Sequence, residues 1–213
     1  MTHIQGTHIQ GWRGRFAVAA AVIIVVAASC LPQRLLAAPA RFTLDPDHTT
    51  VAFLVSHVGF AKTLGMFKTV SGSFVFDEAA PAVSDIKVTI DAASVYTAHD
   101  VRDEHLRNAD FLNVRNHPTI TFTGTKAVQT GPRTGQVMGD LTMLGVTRPV
   151  TFDVTWNKSG AYPFGDKHYA VGFSARTTVK RSDWGMTYGI PGGLVGDEIE
   201  IILEVEAKRQ EAA

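Results

Sequence analysis

From residue 41 onward the apolar side chains recur every second residue rather than every third or fourth, and that period makes sheet the regular structure of most of the chain. Val51, Phe53 and Val55 alternate with Ala52, Leu54 and Ser56. Ile120 and Phe122 alternate with threonines, and Val150, Phe152, Val154 and Trp156 with Thr151, Asp153, Thr155 and Asn157. Val171, Phe173 and Ala175 follow the same rule, and Ile199, Ile201, Leu203 and Val205 face a set that is mostly glutamate. Successive strand residues point to opposite faces, so each stretch buries one face and wets the other. Residues 66–77, 84–91 and 136–144 are further candidates, which makes about eight strands. Gly72 and Gly139 fall inside these patterns and mark the bulges or bends that a closing sheet needs. The class is all-β, an antiparallel barrel or a sandwich.

One segment changes period. Over 98–112 Val101, His105, Leu106, Ala109 and Leu112 recur at helical spacing, which predicts one inserted helix with an apolar stripe over the sheet. Thr97 or Asp100 is the expected cap, and Asp103 and Glu104 suit the positive end of the helix dipole. Asp100, Asp103, Glu104 and Asp110 read as a solvated face with Arg102 and Arg107. A shorter helical turn is expected at 58–64.

The first forty residues are different. Three of the 20 basic residues lie there and none of the 20 acids, which leaves 17 against 20, a net of −3, for 41–213. Arg13 and Arg15 precede thirteen uninterrupted apolar residues, Phe16 to Ala28. That run is shorter than the ~20 residues that span a bilayer and matches a signal-peptide core. Ala38-Pro39-Ala40 fits the cleavage site, so residues 1–40 are expected to be removed on export and 41–213 to form one domain. An uncleaved anchor is one alternative. Lipidation of Cys30, the single cysteine, is another, though Ala27 stands where such sites carry Leu. One cysteine excludes a disulfide framework, and the formal net charge of zero argues against nucleic acid.

By parity the inward-facing candidates are Phe53, Val55, Phe67, Phe74, Phe122, Leu141, Met143, Phe152, Val154, Phe173 and Leu203, with His57 on the same face at a barrel mouth. Period alone does not separate a packed core from a ligand lining. Catalytic motifs are lacking: Ser56 and His57 are strand neighbours facing opposite ways, no G-x-S-x-G is present, and Gly192-Gly193-Leu194-Val195-Gly196 reads as a loop before the last strand rather than a dinucleotide site. His99 and His105 are six apart, which is wrong for two metal ligands on one helical face, and no metal or cofactor is expected.

Several stretches resemble one family. They are Arg102-Asp103-Glu104-His105-Leu106-Arg107-Asn108-Ala109-Asp110-Phe111-Leu112 with His117-Pro118-Thr119-Ile120-Thr121-Phe122, then Gly139 to Val150 (GDLTMLGVTRPV), Arg181-Ser182-Asp183-Trp184-Gly185-Met186 and Gly196-Asp197-Glu198-Ile199. With Val51 to His57 and Gly65-Met66-Phe67 they run in order over about 41–207 and resemble the YceI-like family. The resemblance implies a closed, lipocalin-like, up-and-down barrel of eight antiparallel strands in a secreted or periplasmic bacterial protein. It implies a polyisoprenoid lipid or similar long amphiphile, of the isoprenoid quinone or polyprenyl phosphate type, held inside the barrel, and no catalytic residues; the twelve residues above are the lining that parity assigns to such a ligand. A homodimer stays open. Two rival readings are a small barrel enzyme, for which His57 with a nearby carboxylate is the one acid–base candidate, and a structural barrel with a filled core.

Overall fold

The computed structural model describes residues 38–211. The apolar run and Cys30 lie outside the described residues. The elements are β1 (Ala40–Leu44), β2 (Thr50–His57), β3 (Ala61–Phe67), β4 (Val70–Asp77), β5 (Ala82–Asp91), β6 (Val95–Tyr96), α1 (Asp100–Arg107), β7 (Thr119–Gln129), β8 (Thr134–Met143), β9 (Val146–Ala161), β10 (Tyr169–Lys180) and β11 (Val195–Arg209), with 3-10 turns at Ala92–Ser94 and Arg181–Trp184.

These eleven segments make eight staves. β1 and β2 lie end to end along one edge of β11, Phe42 opposite Arg209 and Val55 opposite Ile199. β3 and β4 lie end to end beside them, and β5 and β6 beside those. β7 to β11 are unbroken, and the pairing of β1 with both β4 and β11 closes the ring. The result is a closed, antiparallel, up-and-down barrel of eight staves with one helix, the barrel rather than the sandwich.

The differences from the sequence reading have local causes. Residues 66–77 are two segments: the chain steps at Lys68–Thr69, where the Lys68 and Thr69 amides bond to Ser94 rather than to a ladder partner. Residues 58–64 are not helical. Val58 and Gly59 both take positive φ, 52° and 75°, in a tight turn, and β3 follows it. β1, five residues long, showed too few alternations to be read.

The helix is shorter than 98–112. His99 caps it, its Nδ1 accepting from the Arg102 amide at 3.3 Å, in place of Thr97 or Asp100. It ends at Arg107 because the Asn108 carboxamide takes the Asp110 amide at 2.8 Å, an Asx turn that competes with the helical bond. Its expected stripe is also different. Val101 is 72% exposed and Ala109 lies in the exposed turn beyond, while Asp103 is buried. The Asp103 carboxylate accepts from the Thr97 amide and hydroxyl at 2.8 and 2.5 Å. Arg102 and Arg107 are not a free solvated face either: they donate to the Thr97, Ala93 and Val95 carbonyls. Polar side chains thus seat the helix, and Leu106, Phe111 and Leu112 supply the apolar contact.

Apolar burial falls into two clusters. One, near α1, holds Leu141, Met143, Phe152, Trp184 and Met186 among others. The other plugs the opposite end with rings in mutual contact. Phe76 lies edge-on to Trp156 and Phe173 at 5.2 and 5.1 Å, and Phe74 stacks on Phe42 at 5.7 Å.

At the step between β1 and β2 stands Asp45, only 2% exposed. Its amide donates to the Glu206 carbonyl at 2.9 Å, and its carboxylate meets Lys208 Nζ at 3.1 Å and His48 Nδ1 at 3.0 Å. Burial alone would push this carboxyl up. The bonds from His48, Lys208 and the Asp47 amide outweigh it and hold the pKa at about 2. A carboxyl whose folded pKa lies below its unfolded value stabilises the fold above the unfolded pKa, and that contribution is lost as pH falls from about 4 through about 2. Asp45→Asn is expected to cost about 2 kcal/mol at neutral pH and to flatten stability over that acid window. Urea unfolding of both proteins between those pH values checks it; an unchanged acid limb would count against the pairing.

Candidate functional site

Inside the barrel is a cavity of about 720 Å³ lined by residues of both clusters. All twelve residues read from parity line it: Phe53, Val55, His57, Phe67, Phe74, Phe122, Leu141, Met143, Phe152, Val154, Phe173 and Leu203. Sheet parity accounts for this placement, since one register puts Phe53 and Val55 of β2 and Ile199, Ile201, Leu203 and Val205 of β11 on the interior face together, as far as the irregularity between Val195 and Ile199. His57 differs from the other eleven. It ends β2 and is exposed, so it belongs to the rim and not to the interior.

The cavity has one mouth. Of its lining residues, the exposed ones are His57, His99, Val101, Arg102, Tyr188 and Leu194, all at the α1 end. Most of the polar lining gathers there too: Ser56, His57, Thr63, His99, Arg102, His105, Tyr188 and Arg181. Among the described residues no aspartate or glutamate belongs to the wall. An apolar tube closed by rings at one end and fringed by imidazoles and guanidinium groups at the other suits a molecule with a long apolar part and one polar end.

The residue that sequence reasoning missed is Arg181. It is 1% exposed, and it lines the cavity beside the Phe111 ring. Its Nε donates to the Gly196 carbonyl at 2.8 Å, one terminal nitrogen to Met186 at 2.8 Å, and the other to Tyr188 and Val195 at 2.8 and 2.9 Å. Burial lowers its pKa, and the Asp197 charge opposes that. Asp197 in turn accepts from the Ser182 amide and hydroxyl, both at 2.9 Å. One guanidinium thereby folds the 186–196 loop over the mouth. The signal was an arginine directly after an alternating strand, which period analysis does not weigh.

The acid–base pair that a barrel enzyme would need is not assembled: among the described residues no hydrogen bond or ion pair joins His57 to a carboxylate. His105 does meet one, Asp110, at 3.0 Å, on the rim beside Phe111 and Tyr188. Asp45, His48 and Glu206 bring potential metal-ligand atoms within 4.8 Å of one another at the plugged end, where the Lys208 ammonium already supplies positive charge. A filled core is contradicted by the cavity itself.

A closed eight-stave barrel, plugged at one end and open over an apolar cavity at the other, defines a lipocalin-like, cavity-bearing barrel protein. The chain belongs to the YceI-like domain family, whose profile matches residues 42–207. It is 38% identical over 187 residues to a UPF0312 protein of Ectopseudomonas mendocina, spanning 88% of this chain and 96% of that one. Among solved structures it is similar to BcnA of Burkholderia cenocepacia, with 25% identity and a TM-score of 0.69 over 78% of this chain and 99% of that one. A polyisoprenoid binding domain from Saccharophagus degradans, implicated in plant cell wall breakdown, shares the fold at 14% identity, with a TM-score of 0.61 over 81% of this chain and 99% of that one.

Proposed function

We propose that this protein binds a polyisoprenoid or similar long amphiphile inside the barrel, tail toward the ring plug and polar end at the mouth, and carries or sequesters it without chemistry. In this reading residues 1–40 direct export and are removed, so that the work is done in the bacterial periplasm or outside the cell. The observation that carries the proposal is the cavity of about 720 Å³ with an apolar wall and one polar mouth. Each CH₂ buried there contributes about 0.8 kcal/mol, so a few isoprene units outweigh the ordering of the chain. The ligand named for the Saccharophagus degradans domain supports the same class.

Organic extraction of the purified protein followed by mass spectrometry is the test, with a long-chain amphiphile expected in near-stoichiometric amount. Recovery of none, together with no uptake of added polyprenyl lipid, would reject the reading. Phe152→Trp sharpens it. Phe152 faces Phe122 edge-on at 5.3 Å and borders the cavity. The larger ring has free volume to enter, so lipid-free stability should stay within about 1 kcal/mol of the parent, where a filled core would lose about 1–3. Bound lipid per protein should fall instead.

A further inference from the structure

Around the mouth, exposed apolar side chains stand on three separate elements. Phe60, 92% exposed, and Val58 sit on the β2–β3 turn, Val101 on the first turn of α1, and Tyr188 and Leu194 on the loop before β11. They form one collar. The Val58 amide donates to the Leu194 carbonyl at 3.0 Å, and the Tyr188 ring lies 5.1 Å from that of His105, one helical turn beyond Val101. Arg181 holds the Tyr188 segment from within. Water-facing apolar groups gathered in this way mark an interaction surface.

We infer that the collar is a membrane-docking surface, and that the barrel stands mouth-down on a phospholipid bilayer with Phe60 and its neighbours inserted at the headgroup–acyl boundary. Continuity decides for a bilayer. Val101, Tyr188 and Leu194 are both exposed and part of the cavity wall, so an apolar path runs from the collar into the barrel, with no carboxylate among the described residues that line it. A bilayer-resident tail moving along that path stays out of water throughout. Charge plays the smaller part: Arg102, His57 and His99 at the rim are offset by the exposed Asp100 and Glu104 of α1, and Lys62 is paired with Glu200 at 3.1 Å. Attachment therefore rests on apolar insertion, as in interfacial anchors, and tolerates salt. This inference rests on the lipid-binding reading for its purpose, though not for its measurement.

The experiment is co-sedimentation with vesicles of phosphatidylethanolamine containing a minor fraction of phosphatidylglycerol, at low and high salt, with lipid content of the purified proteins measured in parallel. Phe60→Ser is expected to weaken vesicle binding about tenfold, with its unfolding midpoint unchanged because the ring touches solvent on nearly all sides. Phe164→Ser is the control, since Phe164 is 74% exposed in the β9–β10 connection at the plugged end; it should bind as the parent does. Phe60, which is no part of the cavity wall, should on replacement by Ser also slow lipid uptake from vesicles without lowering uptake from detergent. Equal binding by the Phe60 and Phe164 variants overturns the docking surface while leaving the lipid reading intact. Phe60-dependent binding by a protein that never holds lipid upholds the docking surface and removes the lipid reading. A parent that sediments as a dimer, becomes a monomer on Phe60→Ser and ignores vesicles overturns the inference in favour of a self-contact.

Discussion

Arg181→Met is expected to lower the unfolding free energy by about 3–5 kcal/mol, because it leaves the four carbonyls gathered round a buried guanidinium without that donor. The methionine keeps most of the side chain's length, so the loss measures hydrogen bonding rather than packing. Gly196, Met186, Tyr188 and Val195 all lose their partner at once. Arg181→Lys keeps the charge but replaces a planar fork of five N–H groups by three on a single nitrogen, so it should recover less than half of the difference. Urea unfolding of lipid-stripped protein makes the measurement. A drop under about 1 kcal/mol would show that the loop is held from elsewhere.

The second large effect is expected at Gly139. A methyl group built there lies 2.4 Å from the Phe122 ring and 2.5 Å from the Thr123 carbonyl oxygen, and the neighbouring strand backbone has no room to give. Gly139→Ala should cost about 2–3 kcal/mol by overpacking. Gly65 makes the contrast. The three atoms nearest its added methyl group all belong to the Phe53 ring, the closest at 2.2 Å, and Phe53 borders the cavity and can turn into it. Gly65→Ala should therefore cost about 1 kcal/mol or less and reduce lipid capacity instead. Thermal unfolding of the two variants, side by side, checks the pair; equal losses would mean that the space beside Phe53 is not free.

The interior wall was legible in the sequence because sheet parity runs along a whole strand: once Phe53 and Val55 face inward so does Val51, and the rule lapses only at strand ends, where His57 stands on the rim, and at irregularities such as that between Val195 and Ile199. The same logic predicted Gly72 and Gly139 as sites where the sheet bends. In the structure the register shifts between Ser73 and Val75, beside Gly72, and between Gly124 and Lys126, opposite Gly139. What stayed hidden depends on contacts between distant residues. The step at Lys68–Thr69 is set by Ser94, and nothing about a Lys-Thr pair announces it. Asp103 is acidic and sits in the first turn of a helix, where solvent exposure is the ordinary outcome, yet Thr97 draws it inward. Arg181 is buried by a loop that closes over it, so its role exists only once the loop has folded.

Among the described residues β6 pairs with β3 and with no other strand, and β5 has already taken the edge of β7 below it. Above that level the ring is completed by α1, whose Leu106 and the following Phe111 and Leu112 face the cavity. The wall thus has one panel that is not part of the backbone ladder. Swinging α1 aside would break side-chain packing and the bonds of Arg102, Asp103 and Arg107, but no strand–strand hydrogen bond. A side door of this kind would leave the amide protection of every stave unchanged while open, so hydrogen exchange in the strands would be blind to it and only the amides of α1 itself would report it.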